Sequence, residues 1–196
     1  VMVVWSLLQR QQNIIRDCTF TKNKMRVGHK GVVLFVIAVP ILISLKCNPD
    51  KWKITETASF TVDKAQLFRF ITNSEHINKW FNWATNIYPA NSKAIGVHKM
   101  YQLVYNVPIY GNYVMLFNVT DYVHNEKITL ESDSLLKPKF QATIFSDSLN
   151  DNQLMLSLTF RQTSFLFQQT IAPLLYLIGS EQLKTSLIML QTLLPY

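Results

Sequence analysis

The chain has 196 residues, of which 48% are hydrophobic and 16% are charged, and its formal net charge at pH 7 is +7. Residues 1–46 carry seven basic side chains and one acidic side chain, a net charge of +6, whereas residues 47–196 carry 12 basic and 11 acidic ones, a net charge of +1. A domain that binds nucleic acid needs a basic face, so the nearly neutral C-terminal part excludes nucleic acid as a partner.

An uncharged apolar run, GVVLFVIAVPILISL, occupies residues 31–45 between Lys30 and Lys46. Its 15 residues are fewer than the ~20 that an untilted spanning helix needs, so the core of a signal peptide competes with a transmembrane helix. A helix in a soluble core is the third possibility, but such a helix carries a polar stripe and this run has only Ser44. We therefore expect residues 31–46 to be a transmembrane or signal-anchor segment.

Residues 1–30 form a basic leader without sustained hydrophobic periodicity, and we expect them to be poorly ordered. Most of the basic charge of residues 1–46 precedes the apolar run. The positive-inside rule then predicts a cytoplasmic N-terminus and a lumenal or extracytoplasmic domain. Lys46 and Cys47 make a poor cleavage site, which favours an uncleaved anchor; secretion after signal cleavage is the alternative.

The domain begins with a predicted strand and two short helices. Residues 52–60, WKITETASF, have the alternation of a strand. Asp63 then predicts the start of a helix, with Gln66 as its partner in a capping box. The residues at 72–74, Thr-Asn-Ser, end this helix, and a second short helix carries Trp80.

Period-two hydrophobic alternation predicts the next five elements as strands that pair in an antiparallel meander. They lie at residues 97–106, 112–120, near 128–130, 140–144 and 154–161. A long helical stretch at 164–194 follows, with two apolar faces about 120° apart. The first face comprises Ile171, Leu174, Leu175 and Ile178, and the second comprises Leu183, Leu187, Leu190 and Leu194.

One segment of the domain resembles a known superfamily. The run FTVDKAQLFRFITN at 60–73, followed by Trp80 and Trp83, is similar to the opening of the START-like (SRPBCC) superfamily, which includes polyketide cyclases and lipid-transfer domains. In that superfamily the helix is preceded by an Ala-Pro turn, whereas here Asp63 stands in the place of the proline. The sequence IAPLL at 171–175 resembles the start of the family's last helix.

The resemblance covers residues 50–194 and implies an α+β helix-grip fold for a domain at 50–196, with an antiparallel sheet wrapped around a long C-terminal helix. It also implies a ligand cavity between the concave face of the sheet and that helix. The residues expected to line this cavity are Phe70, Trp80, Trp83, Leu103, Tyr113, Met115, Phe117, Phe140, Leu156, Leu158, Ile171, Leu175 and Ile178. Glu56 and His98 are the candidate polar groups of this cavity.

The apolar hairpin tip formed by Val107, Pro108, Ile109 and Tyr110 is the expected cavity portal, because loop tips are normally polar. Packing of the same tip against the domain is an equally acceptable interpretation.

The sequence predicts binding or transfer of an apolar small molecule or lipid by a membrane-tethered domain. A cyclase-like or hydratase-like enzyme using Glu56, His98 or Tyr113 in acid–base chemistry is one alternative, and a structural domain with a filled core is another. We expect no cofactor and no metal, because no two of the four histidines have metal-ligand spacing. The sequence gives no indication of the oligomeric state.

Overall fold

The computed structural model describes residues 39–82, 86–107, 111–146 and 152–194. The chain divides into two compact units, Val1–Pro40 and Ile41–Tyr196. Residues 1–38, which contain the predicted leader and the first part of the apolar run, lie outside the described residues, and residues 39–44 are helical. Among the described residues, no helix has both the length and the apolarity that crossing a bilayer requires.

Among the described residues of the second unit, one strand and two short helices precede six consecutive strands and a long helix. The elements of this unit are a 3-10 helix at Pro49–Trp52, β1 at Ile54–Phe60, α1 at Lys64–Thr72, α2 at Ser74–Trp80, β2 at Asn86–Pro89, β3 at Met100–Val107, β4 at Gly111–Val123, β5 at Lys127–Glu131, β6 at Pro138–Ser146, β7 at Asn152–Phe160 and α3 at Phe165–Leu193.

The described strands form one antiparallel sheet in the order β1-β7-β6-β5-β4-β3-β2. Neighbours from β2 to β7 are consecutive in the chain, and β1 pairs antiparallel with the free side of β7. On β6, Phe140, Ala142 and Ile144 alternate with more exposed residues and face the core. The predicted α+β class, with an antiparallel meander and a long C-terminal helix, is confirmed.

The start of the meander differs from the prediction. β2 was not expected, because Asn86 and Pro89 are poor strand formers; its four residues pair with β3 at the edge of the sheet, where a proline is tolerated. β3 begins at Met100 and not at residue 97, because Gly96 and His98 have φ angles of +152° and +68° that interrupt an extended strand.

The two short helices begin where capping residues predict. The Asp63 carboxylate accepts hydrogen bonds from the backbone N–H groups of Ala65 (3.0 Å) and Gln66 (3.4 Å), so the predicted N-cap of α1 is confirmed. Asn73 ends α1 and caps α2, because its side-chain oxygen accepts a hydrogen bond from the N–H of Glu75 at 3.0 Å. The two caps thereby fix where α1 and α2 begin.

The long helix α3 is tied at its start to the segment that follows the apolar run. Ser164 is its N-cap. The N–H of Phe165 donates to the carbonyl of Leu45 at 2.9 Å, and the N–H of Cys47 donates to the carbonyl of Thr163 at 2.7 Å. Within the second unit, the chain therefore enters the domain beside the N-terminus of α3.

The structure buries only one of the two apolar faces predicted for α3. From the second face, Leu183, Leu187 and Leu190 are buried. From the first face, Ile171, Leu174 and Ile178 are exposed by 45%, 60% and 51%. The helix instead buries two small residues at this level, Ala172 and Gly179.

Candidate functional site

An apolar cavity of about 50 Å³ lies between the sheet and the two short helices. Its walls come from α1, α2 and the five strands β2 to β6. The lining residues are Ile71, Thr72, Ile77, Trp80, Phe81, Ile87, Tyr101, Leu103, Phe117, Ile128, Leu130, Phe140 and Ala142.

Cross-strand pairs build the sheet side of the cavity. Tyr101 on β3 stands opposite Phe117 on β4, and Leu130 on β5 stands opposite Phe140 on β6. Residues directly opposite each other in an antiparallel pair have side chains on the same face. Period-two alternation therefore delivers a continuous apolar surface across four strands.

The cavity wall carries few polar atoms and no charged side chain. The hydroxyl of Thr72 donates to the carbonyl of Phe68 at 2.7 Å, which satisfies it within α1. Burial raises the pKa of Tyr101 above its ordinary value of 10.0, and the neighbouring Tyr122 raises it further. The Tyr101 hydroxyl is therefore uncharged at neutral pH, and the cavity suits an uncharged apolar group.

The size of the cavity limits what it accepts. Its volume of about 50 Å³ is roughly a third of the ~150 Å³ apolar cavity that binds benzene in an engineered protein, and far below the ~300–1,000 Å³ of sites for drug-sized ligands. The present shape therefore accommodates only a few carbon atoms, and a larger ligand needs its walls to move or must extend out of the cavity.

The structure brings four of the predicted lining residues together around this cavity: Trp80, Leu103, Phe117 and Phe140. Three others, Met115, Leu156 and Leu158, are buried in the core away from it. Phe70 stacks on His76, with ring centroids 4.5 Å apart. The side chains of Tyr113, Ile171 and Ile178 are more than 40% exposed, and Leu175 is half-buried against the core.

The cavity is not where the resemblance implied, because no residue of α3 lines it. Instead α3 packs directly on β1, where Gly179 faces Ile54 without an intervening side chain. Ile178, adjacent to Gly179, and Ile171, about two turns earlier, are 51% and 45% exposed. The prediction selected large apolar residues of the helix, whereas the contact between α3 and β1 is made at a glycine, Gly179.

Several predicted positions have no described side chain. Trp83 and the portal residues Pro108, Ile109 and Tyr110 lie outside the described residues, and for Val107 only the backbone is described. The predicted portal at this hairpin tip therefore stays a prediction.

Both predicted polar groups lie outside the cavity. Glu56 points toward α3, where its carboxylate accepts a hydrogen bond from the Ser180 hydroxyl at 2.8 Å. His98 is exposed in the loop before β3, and its carbonyl accepts a hydrogen bond from the side-chain amide of Asn91 at 3.0 Å. Among the described residues, no group of three histidine, cysteine or acidic side chains is arranged to hold a metal ion.

Several cavity residues were missed by the sequence reasoning. Ile71 on α1 and Ile77 on α2 line the cavity, and so does Tyr101, which alternates with Leu103 on β3. Alternation along β3 was therefore a sufficient signal for Tyr101. Ile87 had no such signal, because its strand was not predicted.

Comparison of the sequence with known protein families finds no match, and no curated protein matches it. Solved structures do match. Protein TTHA0849 of Thermus thermophilus has a TM-score of 0.56 at 11% identity, over 70% of this chain and 93% of that chain. A protein from Arthrobacter aurescens has a TM-score of 0.56 at 11% identity, over 78% of this chain and 91% of that chain.

A third neighbour is protein MLL2253 of Mesorhizobium loti, with a TM-score of 0.55 at 13% identity, over 72% of this chain and 96% of that chain. At identities this low, the likeness establishes the fold and nothing about activity. Over its described residues, the second unit of the chain has an α+β fold with a seven-stranded antiparallel sheet and a long C-terminal helix, an architecture consistent with a helix-grip fold.

Proposed function

We propose that this domain binds an uncharged apolar small molecule, or the apolar end of a larger one such as a lipid, in the cavity beneath α1 and α2. The observation that supports this proposal most is the composition of the wall, which is mostly apolar. Its polar side-chain groups are the satisfied hydroxyl of Thr72, the neutral hydroxyl of Tyr101 and the indole N–H of Trp80, which has no hydrogen-bond partner among the described residues. Covering such a surface with an apolar ligand is favourable, by roughly 25 cal/mol per Å² of apolar area removed from water.

Catalysis in the cavity has less support. Acid–base chemistry needs two polar groups within hydrogen-bond reach of one substrate. The three candidates, Glu56, His98 and Tyr113, do not line the cavity. Binding or transfer is therefore the function that this geometry favours.

Ligand entry is testable by NMR with the full chain in lipid nanodiscs and xenon as the probe, because a single xenon atom is much smaller than benzene and also binds apolar cavities. We expect a saturable shift of the Ile128 methyl signals, because this side chain lines the cavity. Ala142→Val should abolish that shift by filling the space, since Ala142 is 2% exposed and also lines the wall.

Ala58→Val is the matched control, because Ala58 packs against the core without lining the cavity. It should leave the xenon response intact. No saturable shift in the wild-type chain would show that the core is filled and that the domain is structural. Equal loss in both variants would show that the response does not report on this cavity, and would overturn the proposed site.

We also propose that the chain is held at a membrane by the apolar run, with the domain on the lumenal or extracytoplasmic side. Support comes from Ile41, Ile43 and Leu45, which belong to the described end of the run and are 48–53% exposed. Protease added to sealed membranes from the cytosolic side should leave residues 50–196 intact. Digestion of the domain would overturn the orientation, and a domain found only in the soluble fraction would overturn the anchor.

A further inference from the structure

A second hollow lies on the outer side of α1. It is a groove of about 510 Å³ between α1 and the turn that follows β4, with Ile95 of the loop before β3 on a third side. This volume lies within the ~300–1,000 Å³ of known small-molecule sites. We call it the outer groove.

The outer groove and the apolar cavity are neighbours, because Thr72 lines both of them. Phe68, one turn earlier on α1, lies on the groove side, and Ile71 lies on the cavity side. Thr72 is therefore the side chain at which the two spaces adjoin.

The outer groove combines an aromatic floor with polar groups at its rim. Phe68 is 3% exposed and packs edge-to-face on Tyr122, with ring centroids 5.7 Å apart. The Tyr122 hydroxyl and the Nδ1 atom of His124 are 3.1 Å apart and share a hydrogen bond. The exposed Arg69 lines the same space.

The charges around the groove leave one cation available. Arg69 takes part in none of the salt bridges found among the described residues. The carboxylate of Asp63 is engaged with the N–H groups that begin α1, and that of Glu126 pairs with Lys64 at 3.0 Å. The groove therefore offers a guanidinium to a ligand, and guanidinium groups bind carboxylates through paired N–H donors.

We infer that the outer groove binds the carboxylate end of an amphipathic ligand whose apolar end enters the cavity past Thr72. This inference rests on the proposed function, since the apolar end needs the cavity. It also resolves the size mismatch: the cavity holds a few carbon atoms, and the rest of the ligand lies in the larger groove. Arg69 is the residue that distinguishes such an acid from the corresponding neutral molecule.

The test compares pentanoate with 1-pentanol, which has the same chain length and no charge, on the full chain in lipid nanodiscs. NMR follows two methyl groups, that of Ile128 in the cavity and that of Ile95 in the groove. We expect both ligands to shift Ile128, only pentanoate to shift Ile95, and pentanoate to bind about tenfold more tightly, as one charge-assisted hydrogen bond allows.

Arg69→Gln should reduce the affinity for pentanoate to that for 1-pentanol and leave the alcohol unaffected. Lys79→Gln is the matched control, because Lys79 is an exposed cation on α2 that does not line the groove. Equal affinity of the wild-type chain for the two ligands, or equal effects of the two substitutions, would overturn the carboxylate site. If 1-pentanol leaves Ile128 unshifted, the proposed function fails as well.

Discussion

Gly179 of α3 lies so close to Ile54 of β1 that a Cβ atom added to the glycine would stand 2.5 Å from the Ile54 Cδ1 atom. Ile54 is 1% exposed, so its side chain has little room to withdraw. The absence of a side chain at position 179 therefore sets the distance between the long helix and the sheet.

This contact predicts the effect of Gly179→Ala. Alanine favours a helix by about 1 kcal/mol over glycine, but overpacking a buried contact costs about 1–3 kcal/mol. We expect a net loss of up to about 2 kcal/mol in the free energy of unfolding, measured by urea denaturation. Ile54→Val removes the Cδ1 atom, so Gly179→Ala should become neutral or stabilising in that background. Additive effects of the two substitutions would contradict the close contact.

The N-cap of α1 gives a second prediction. Asp63→Ala removes the acceptor of two backbone N–H groups and should lower the free energy of unfolding by about 1 kcal/mol. Asp63→Ser should cost much less, because a serine hydroxyl caps a helix nearly as well. Thermal unfolding of both variants decides the matter: equal losses would mean that the carboxylate does not act as a cap.

The order of the elements was largely predictable from the sequence. The local sequence predicts strands with alternating apolar residues, such as β6 and β7, and helix caps such as Asp63. Both features depend on residues that are close together in the chain. The placement of the cavity was not predictable in this way. It depends on how closely α3 approaches β1, and Gly179 permits that approach without contributing any hydrophobic signal of its own.

The outer groove was missed for a related reason. Arg69, Tyr122 and Ile95 come from three separate segments, and nothing in the local pattern of any one of them indicates a site. These residues come together only when α1 packs against the β4–β5 turn. A salt bridge of 3.0 Å between Lys64 of α1 and Glu126 of the turn links the two.

The ion pair between Asp121 and Lys127 predicts a pH response at the base of that turn. The hydrogen bond from the Lys127 side chain, 2.6 Å from the Asp121 carboxylate, is the main cause that lowers the pKa of Asp121 below its ordinary value of 3.8. Since the folded pKa is the lower one, the stabilising effect is present above the unfolded pKa and is lost as the pH falls through the folded pKa.

Lys127→Gln should therefore raise the pKa of Asp121 toward 3.8 in a carboxyl-carbon NMR titration. Lys139→Gln is the control, because Lys139 makes the smallest of the named contributions to the same shift. A larger change from the control than from Lys127→Gln would show that the hydrogen bond is not the cause.

Lys99 shapes the loop that forms one side of the outer groove. It is only 9% exposed, and its ammonium group donates to the carbonyls of Asn91 (2.8 Å) and Lys93 (2.6 Å) across the loop that carries Ile95. Lys99→Met should leave both carbonyls without this donor and cost about 1–3 kcal/mol. Hydrogen exchange at Ile95 should become faster, and pentanoate should bind more weakly while 1-pentanol binds as before. Lys93→Met, which leaves the backbone acceptor in place, should change none of these quantities; unaltered exchange in Lys99→Met would show that the loop is held by other contacts.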